Sequence, residues 1–97
     1  MSELHVVATI PALPGSEAEI RAVMQTLTAA TRQEEGCLAY DVYESGAAPG
    51  TFVTVERWRG QADLDAHLTS PHLGEAFAAA GDHLAGEVAI HPLVPID

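Results

Sequence analysis

A chain of 97 residues builds a single hydrophobic core and excludes a two-domain organisation. Four arginines and no lysine stand against 14 acidic residues, a formal charge of -10 that repels nucleic acid and anionic lipid alike. The lone Cys37 excludes an internal disulfide and any C-x-x-C motif, no apolar run approaches the roughly 20 residues that span a bilayer, and the N-terminus lacks a charged region followed by an apolar core, so a soluble, cytoplasmic protein is expected.

Residues 4–10, LHVVATI, are β-branched and apolar and read as a strand closed by Pro11, Pro14 and Gly15. A helix follows. Ser16 and Glu19 have the spacing of a capping box, Ile20, Val23, Met24, Leu27 and Ala30 or Thr31 recur at three- and four-residue steps, and Gly36 fits a C-terminal cap. Residues 37–44, CLAYDVYE, and 51–59, TFVTVERWR, read as a hairpin around the turn GAAPG. After Gly60 a short helix runs from Asp63 to Leu68. A further helix starts where Ser70 caps and Pro71 takes the first helical position, with Leu73, Ala76, Phe77, Ala80 and Leu84 as its inward stripe. Residues 87–94, EVAIHPLV, form a last strand whose Pro92 and Pro95 place its end at a sheet edge or beyond it.

The order β-α-β-β-α-β is that of an α+β, ferredoxin-like fold, an antiparallel sheet with its helices on one face. Along residues 51–59, Phe52, Thr54, Glu56 and Trp58 share one face, and Val53, Val55, Arg57 and Arg59 the other. The first strand likewise alternates Leu4, Val6, Ala8 and Ile10 against His5, Val7 and Thr9. A sheet with apolar residues on both faces needs a second cover, and no helix remains in the chain to supply it. A homodimer packed sheet to sheet is the expectation.

Three stretches, EEGCLAYDVYE, PGTFVTVERW and ADLDAHLTSPH with Phe77 beyond it, resemble the antibiotic biosynthesis monooxygenase (ABM) domain family and its small quinol monooxygenases. The resemblance covers nearly the whole chain, as one domain over residues 1–97. It implies a dimeric α+β barrel with a pocket in each subunit between sheet and helices. It also implies insertion of oxygen into electron-rich aromatics such as quinols or anthrones with no metal, flavin or other cofactor. Relatives that degrade haem carry an Asn, a Trp and a His at positions that fall near Thr9, at His67 and at Phe77 here; none matches, and Phe77 removes the iron ligand. The antibiotic-pathway oxygenases use an Asn, a Trp and an Arg, of which only Trp58 has a counterpart.

The residues themselves agree with cofactor-free chemistry: there is no G-x-G-x-x-G, no P-loop and no H-E-x-x-H. A substrate that supplies its own electrons needs an apolar cavity, a proton acceptor and hydrogen bonds to an oxyanion. Glu56, if its face is inward, is either an acid or base or a structural carboxylate paired with an arginine, a histidine or a helix end. His67 and His72, the side chains that titrate nearest neutrality, are the natural proton shuttles, although a residue placed like His72 also satisfies a helix start. Trp58 and Tyr40 are expected as cavity wall and oxygen-orienting donors, and Phe77, Met24 and Leu27 as the apolar lining.

His5 and His91 become neighbours if the first and last strands pair, but the scatter of the histidines over separate elements argues against a metal site. His83 suits a helix C-terminus, and Cys37 an inert buried thiol. Two other classes of function share this scaffold: a non-catalytic dimeric binding module, and an isomerase or tautomerase using the same base without O2. A working pocket brings at least two of Glu56 and the histidines to one cavity; a structural module pairs them off with protein groups.

Overall fold

The computed structural model describes residues 3–97. Its elements are β1 (Leu4–Pro11), α1 (Glu17–Thr31), β2 (Cys37–Glu44), β3 (Thr51–Trp58), α2 (Gln61–Leu68), α3 (Pro71–Ala80), a 3-10 turn (Gly81–His83) and β4 (Ala89–Pro92). The strands form one antiparallel sheet in the order β2-β3-β1-β4, the ferredoxin-like arrangement that the element order implies. No described helix is long and apolar enough to cross a membrane.

Period-two alternation decides which side chains meet the helices. Val6, Ala8 and Ile10 of β1 and Phe52, Thr54, Glu56 and Trp58 of β3 are buried, and Tyr40 of β2 joins them. One core cluster packs Ile10, Phe52 and Ala8 against Ile20, Met24 and Leu27 of α1 and Leu73 and Ala80 of α3. A second gathers Val6, Tyr40 and Trp58 under Leu64 of α2. The opposite face carries the cross-strand rows Asp41–Val55–Val7–His91 and Tyr43–Val53–Thr9–Ala89. Val55 and Tyr43 on it are 46% and 57% exposed, so among the described residues nothing covers this part of the face.

Several local expectations change. Ser16 stands at the N-cap of α1 without a side-chain bond to the helix, its hydroxyl meeting Nδ1 of His83 at 3.0 Å while Glu17 turns back to accept from Gly15 N–H at 2.9 Å. The helix ends at Thr31 with Arg32 as its C-cap, five residues short of the following strand, so Gly36 caps nothing. α3 stops at Ala80, and Leu84 leaves the helical stripe to bridge Ala12 of the first strand's extension. β4 spans four residues rather than eight, on the edge where Pro92 is tolerated. The Ser70 cap forms as expected, accepting from Leu73 N–H at 3.4 Å, and its hydroxyl also donates to the His67 carbonyl at 2.6 Å, which fixes the corner between α2 and α3.

Gly36 is required for a different reason. A Cβ there would lie 2.0 Å from Cγ of Asp63 and 2.3 Å from its Cβ. Asp63 is itself held by Arg59 through two hydrogen bonds of 2.8 and 3.0 Å, and Arg59 N–H donates to the Gly36 carbonyl at 2.9 Å. Gly36→Ala therefore pushes α2 off the β2 start and should cost about 1–3 kcal/mol by urea denaturation; an unchanged midpoint would show that this corner yields freely.

Candidate functional site

A cavity opens between the sheet and its helical layer. Its walls come from Ala8, Ile10, Tyr40, Thr54, Glu56 and Ile90 on the strands and from Met24, Leu27, His67, Leu73 and Phe77 on the helices, with Leu68 and Phe77 partly exposed. The open space is about 50 Å³, well short of the roughly 300 Å³ at which drug-sized pockets begin. It is also about a third of the roughly 150 Å³ that holds benzene, so even a single ring requires wall side chains to give way.

Glu56, 4% exposed, is fully engaged by its own strand. The Thr54 hydroxyl donates to Oε2 at 2.5 Å, and the Trp58 indole N–H donates to Oε1 at 2.8 Å. The same Thr54 oxygen accepts from Ala8 N–H at 3.2 Å. Burial of a carboxylate is costly unless hydrogen bonded, and residues two before and two after on one strand face are the nearest donors available. None of the partners foreseen for a structural Glu56, an arginine, a histidine or a helix end, bonds it here. Trp58, fully buried, does not line the cavity: its ring lies beneath His67, centroids 4.8 Å apart, and its N–H is spent on Glu56.

His67, 3% exposed, sits on α2 with Nδ1 2.6 Å from Oε2 of Glu34. The same oxygen lies 2.7 Å from Nε2 of His72, at the start of α3. A carboxylate only accepts, so each imidazole donates to it. Whenever the ring is neutral this makes His67 the Nδ1–H tautomer, with Nε2 as an acceptor on a ring that lines the cavity. Among the described residues Nε2 has no protein partner. His72 is outside the cavity, its side chain 27% exposed.

Tyr40 lines the cavity with its ring centroid 5.8 Å from that of His67. Burial, then the nearby Glu56 and Cys37, hold its phenol well above the usual tyrosine range, so it stays a neutral O–H donor. Among the described residues no protein group accepts from it. The Cys37 thiol is also pushed up, by burial and then by Glu34 and Glu56, and remains a thiol.

Of the expected site residues, Glu56, His67, Tyr40, Phe77, Met24 and Leu27 share the cavity, whereas Trp58 and His72 stand behind its wall. Glu34 and Thr54 were not singled out in the sequence. Thr54 had a signal, since alternation puts it beside Glu56. Glu34 had none that separates it from Glu35, which points outward to Arg59.

A family model described as antibiotic biosynthesis monooxygenase matches residues 4–79. Rv0793 of Mycobacterium tuberculosis, a provisionally named monooxygenase, is 38% identical over 96 residues, spanning 99% of this chain and 94% of that protein. Its solved structure superposes with a TM-score of 0.88 over 99% of this chain and 97% of its own. PA3566 of Pseudomonas aeruginosa, at 29% identity, gives 0.89 over 100% and 97% of the two chains. A solved antibiotic biosynthesis monooxygenase, at 28% identity, gives 0.88 over 97% and 99%.

Trp58→Phe and Thr54→Val each strip one donor from the buried Glu56 carboxylate. Each should lower stability by about 1–3 kcal/mol in urea titrations, and the double variant should depart from additivity by about 0.5 kcal/mol or more, because both donors serve one group. Additive, sub-kilocalorie effects would show that Glu56 reaches water instead.

Proposed function

The chain belongs to the antibiotic biosynthesis monooxygenase family, and from that premise we propose that it is a cofactor-independent monooxygenase of a small electron-rich aromatic, a single-ring quinol before an anthrone. The observation that carries the reading is that one apolar cavity is lined both by a histidine held at Nδ1 by Glu34, with no protein partner at its other nitrogen among the described residues, and by a neutral phenol left as a donor. His67 Nε2 takes the proton of a substrate hydroxyl, and Tyr40 donates to the oxygen on which negative charge develops. The electron-rich ring then reduces O2 directly. One oxygen atom enters the ring and the other leaves as water, so that quinol and O2 give hydroxyquinone and water with all four electrons from the substrate. His67 returns its proton to the departing oxygen. The size of the cavity supports one ring over three.

In this reading Glu56 is structural, because both oxygens are already engaged, and Glu34 positions the base. His72 acts through Glu34 rather than on substrate. Phe77, Met24 and Leu27 supply the apolar wall. An isomerase would use the same base and donor without oxygen, and the two part on whether O2 is consumed.

Oxygen uptake by purified, metal-free protein over a panel of hydroquinones and anthrones tests the reading. Uptake should favour single rings and fall by about 10²–10⁴ in His67→Gln and about 10²–10³ in Tyr40→Phe. Uptake at background for parent and variants alike would sink the oxygenase, and substrate conversion under argon would establish the isomerase in its place.

The protein acts as a single domain and, we further propose, as a homodimer whose second copy covers the outer sheet face of Val7, Val53, Val55 and Tyr43. Light scattering at micromolar concentration should return twice the chain mass, and Val55→Glu should halve it; a monomeric parent removes the proposal.

A further inference from the structure

Glu34, His67 and His72 come from the α1–β2 turn, α2 and α3, yet one ligand atom from each lies within 4.8 Å of the others. We infer that this cluster chelates a divalent first-row transition ion of borderline softness, Zn2+ or a neighbour, in competition with the two hydrogen bonds that now join it. Two imidazole nitrogens and one carboxylate oxygen form a donor set that suits such ions and disfavours Mg2+ and Ca2+, which take oxygen.

The geometry admits the exchange. Both ring nitrogens aim at the Glu34 oxygen, from 2.6 and 2.7 Å. An ion seated at that point needs each ring to approach by about 0.5 Å and the oxygen to withdraw by about 2 Å to reach ordinary bond lengths. Glu34 lies in a turn, outside helix and strand, with its side chain 17% exposed, and the partly exposed His72 ring gives an entry path and room for a water ligand. One carboxylate with two neutral imidazoles leaves the cation only partly neutralised, and the chain's charge of -10 favours its arrival.

The site is not the cavity. Glu34 and His72 do not line it, and His67 stands between, presenting Nδ1 to the cluster and the rest of its ring to the cavity. An ion on Nδ1 displaces the proton there, so in the loaded protein a neutral His67 carries its proton on Nε2. The inference does not rest on the oxygenase reading, because it is read by binding rather than by turnover.

The full chain, stripped of metal, is titrated with Zn2+ by calorimetry and with Co2+ by visible absorption. One ion per chain is expected, with affinity reduced at least about tenfold in both His72→Ala and Glu34→Gln. His91→Ala, on the exposed outer face of the sheet, should bind as the parent does. No uptake at micromolar metal, an affinity that either cluster substitution leaves unmoved, or loss of binding in His91→Ala overturns the site.

Discussion

Two carboxylates are drawn out of water here, Glu56 between sheet and helices and Glu34 at the α1–β2 turn, and the need to satisfy them with protein donors shapes what surrounds them. Glu56 solves the problem locally. On a strand, residues two apart share a face, so Thr54 and Trp58 reach its two oxygens without help from another element. Glu34 has no such neighbours. Its hydrogen bonds arrive from α2 and α3, and one oxygen ties three separate segments together. α2 is eight residues long with only Leu64 and His67 buried, so the Glu34 bond is a principal anchor for it.

The two carboxylates end up held differently. Each Glu56 oxygen takes one donor from its own strand, whereas Glu34 takes one nitrogen of His67 and leaves the other without a protein partner among the described residues. Glu56 is thus the more conspicuous carboxylate in the sequence and the one engaged by its own strand. Trp58 follows from the same closure: with its N–H on Glu56 it becomes a floor beneath His67, which keeps that ring tilted over the cavity.

Alternation made much of this legible. The inward set Phe52, Thr54, Glu56 and Trp58 and the outward set Val53, Val55 and Arg57 fall on the faces that period two assigns, and Ser70 with Pro71 starts α3 as its pattern requires. What alternation and capping patterns lack is knowledge of distant partners. Ser16 fits a capping box until His83, 67 residues away, competes for its hydroxyl. Glu34 and Glu35 are adjacent and chemically equivalent in sequence; in the fold Glu34 turns to the two imidazoles and Glu35 outward to Arg59, contacts that only the assembled corner creates. His72 reads as a helix-start residue because its partner belongs to a turn 38 positions earlier.

The one Glu34 oxygen also meets different ring nitrogens of the two imidazoles, Nδ1 of His67 and Nε2 of His72. The first ring is dry and faces the cavity; the second is partly in water. Whatever occupies the short gap between nitrogen and oxygen therefore bears on His67 from behind the cavity wall. With a proton in that gap a neutral His67 has Nε2 as an acceptor; with a cation there it would carry its proton on Nε2. Protons and metal cannot occupy the same gaps together, so the hydrogen-bonded cluster and the proposed chelate are alternative states of one carboxylate.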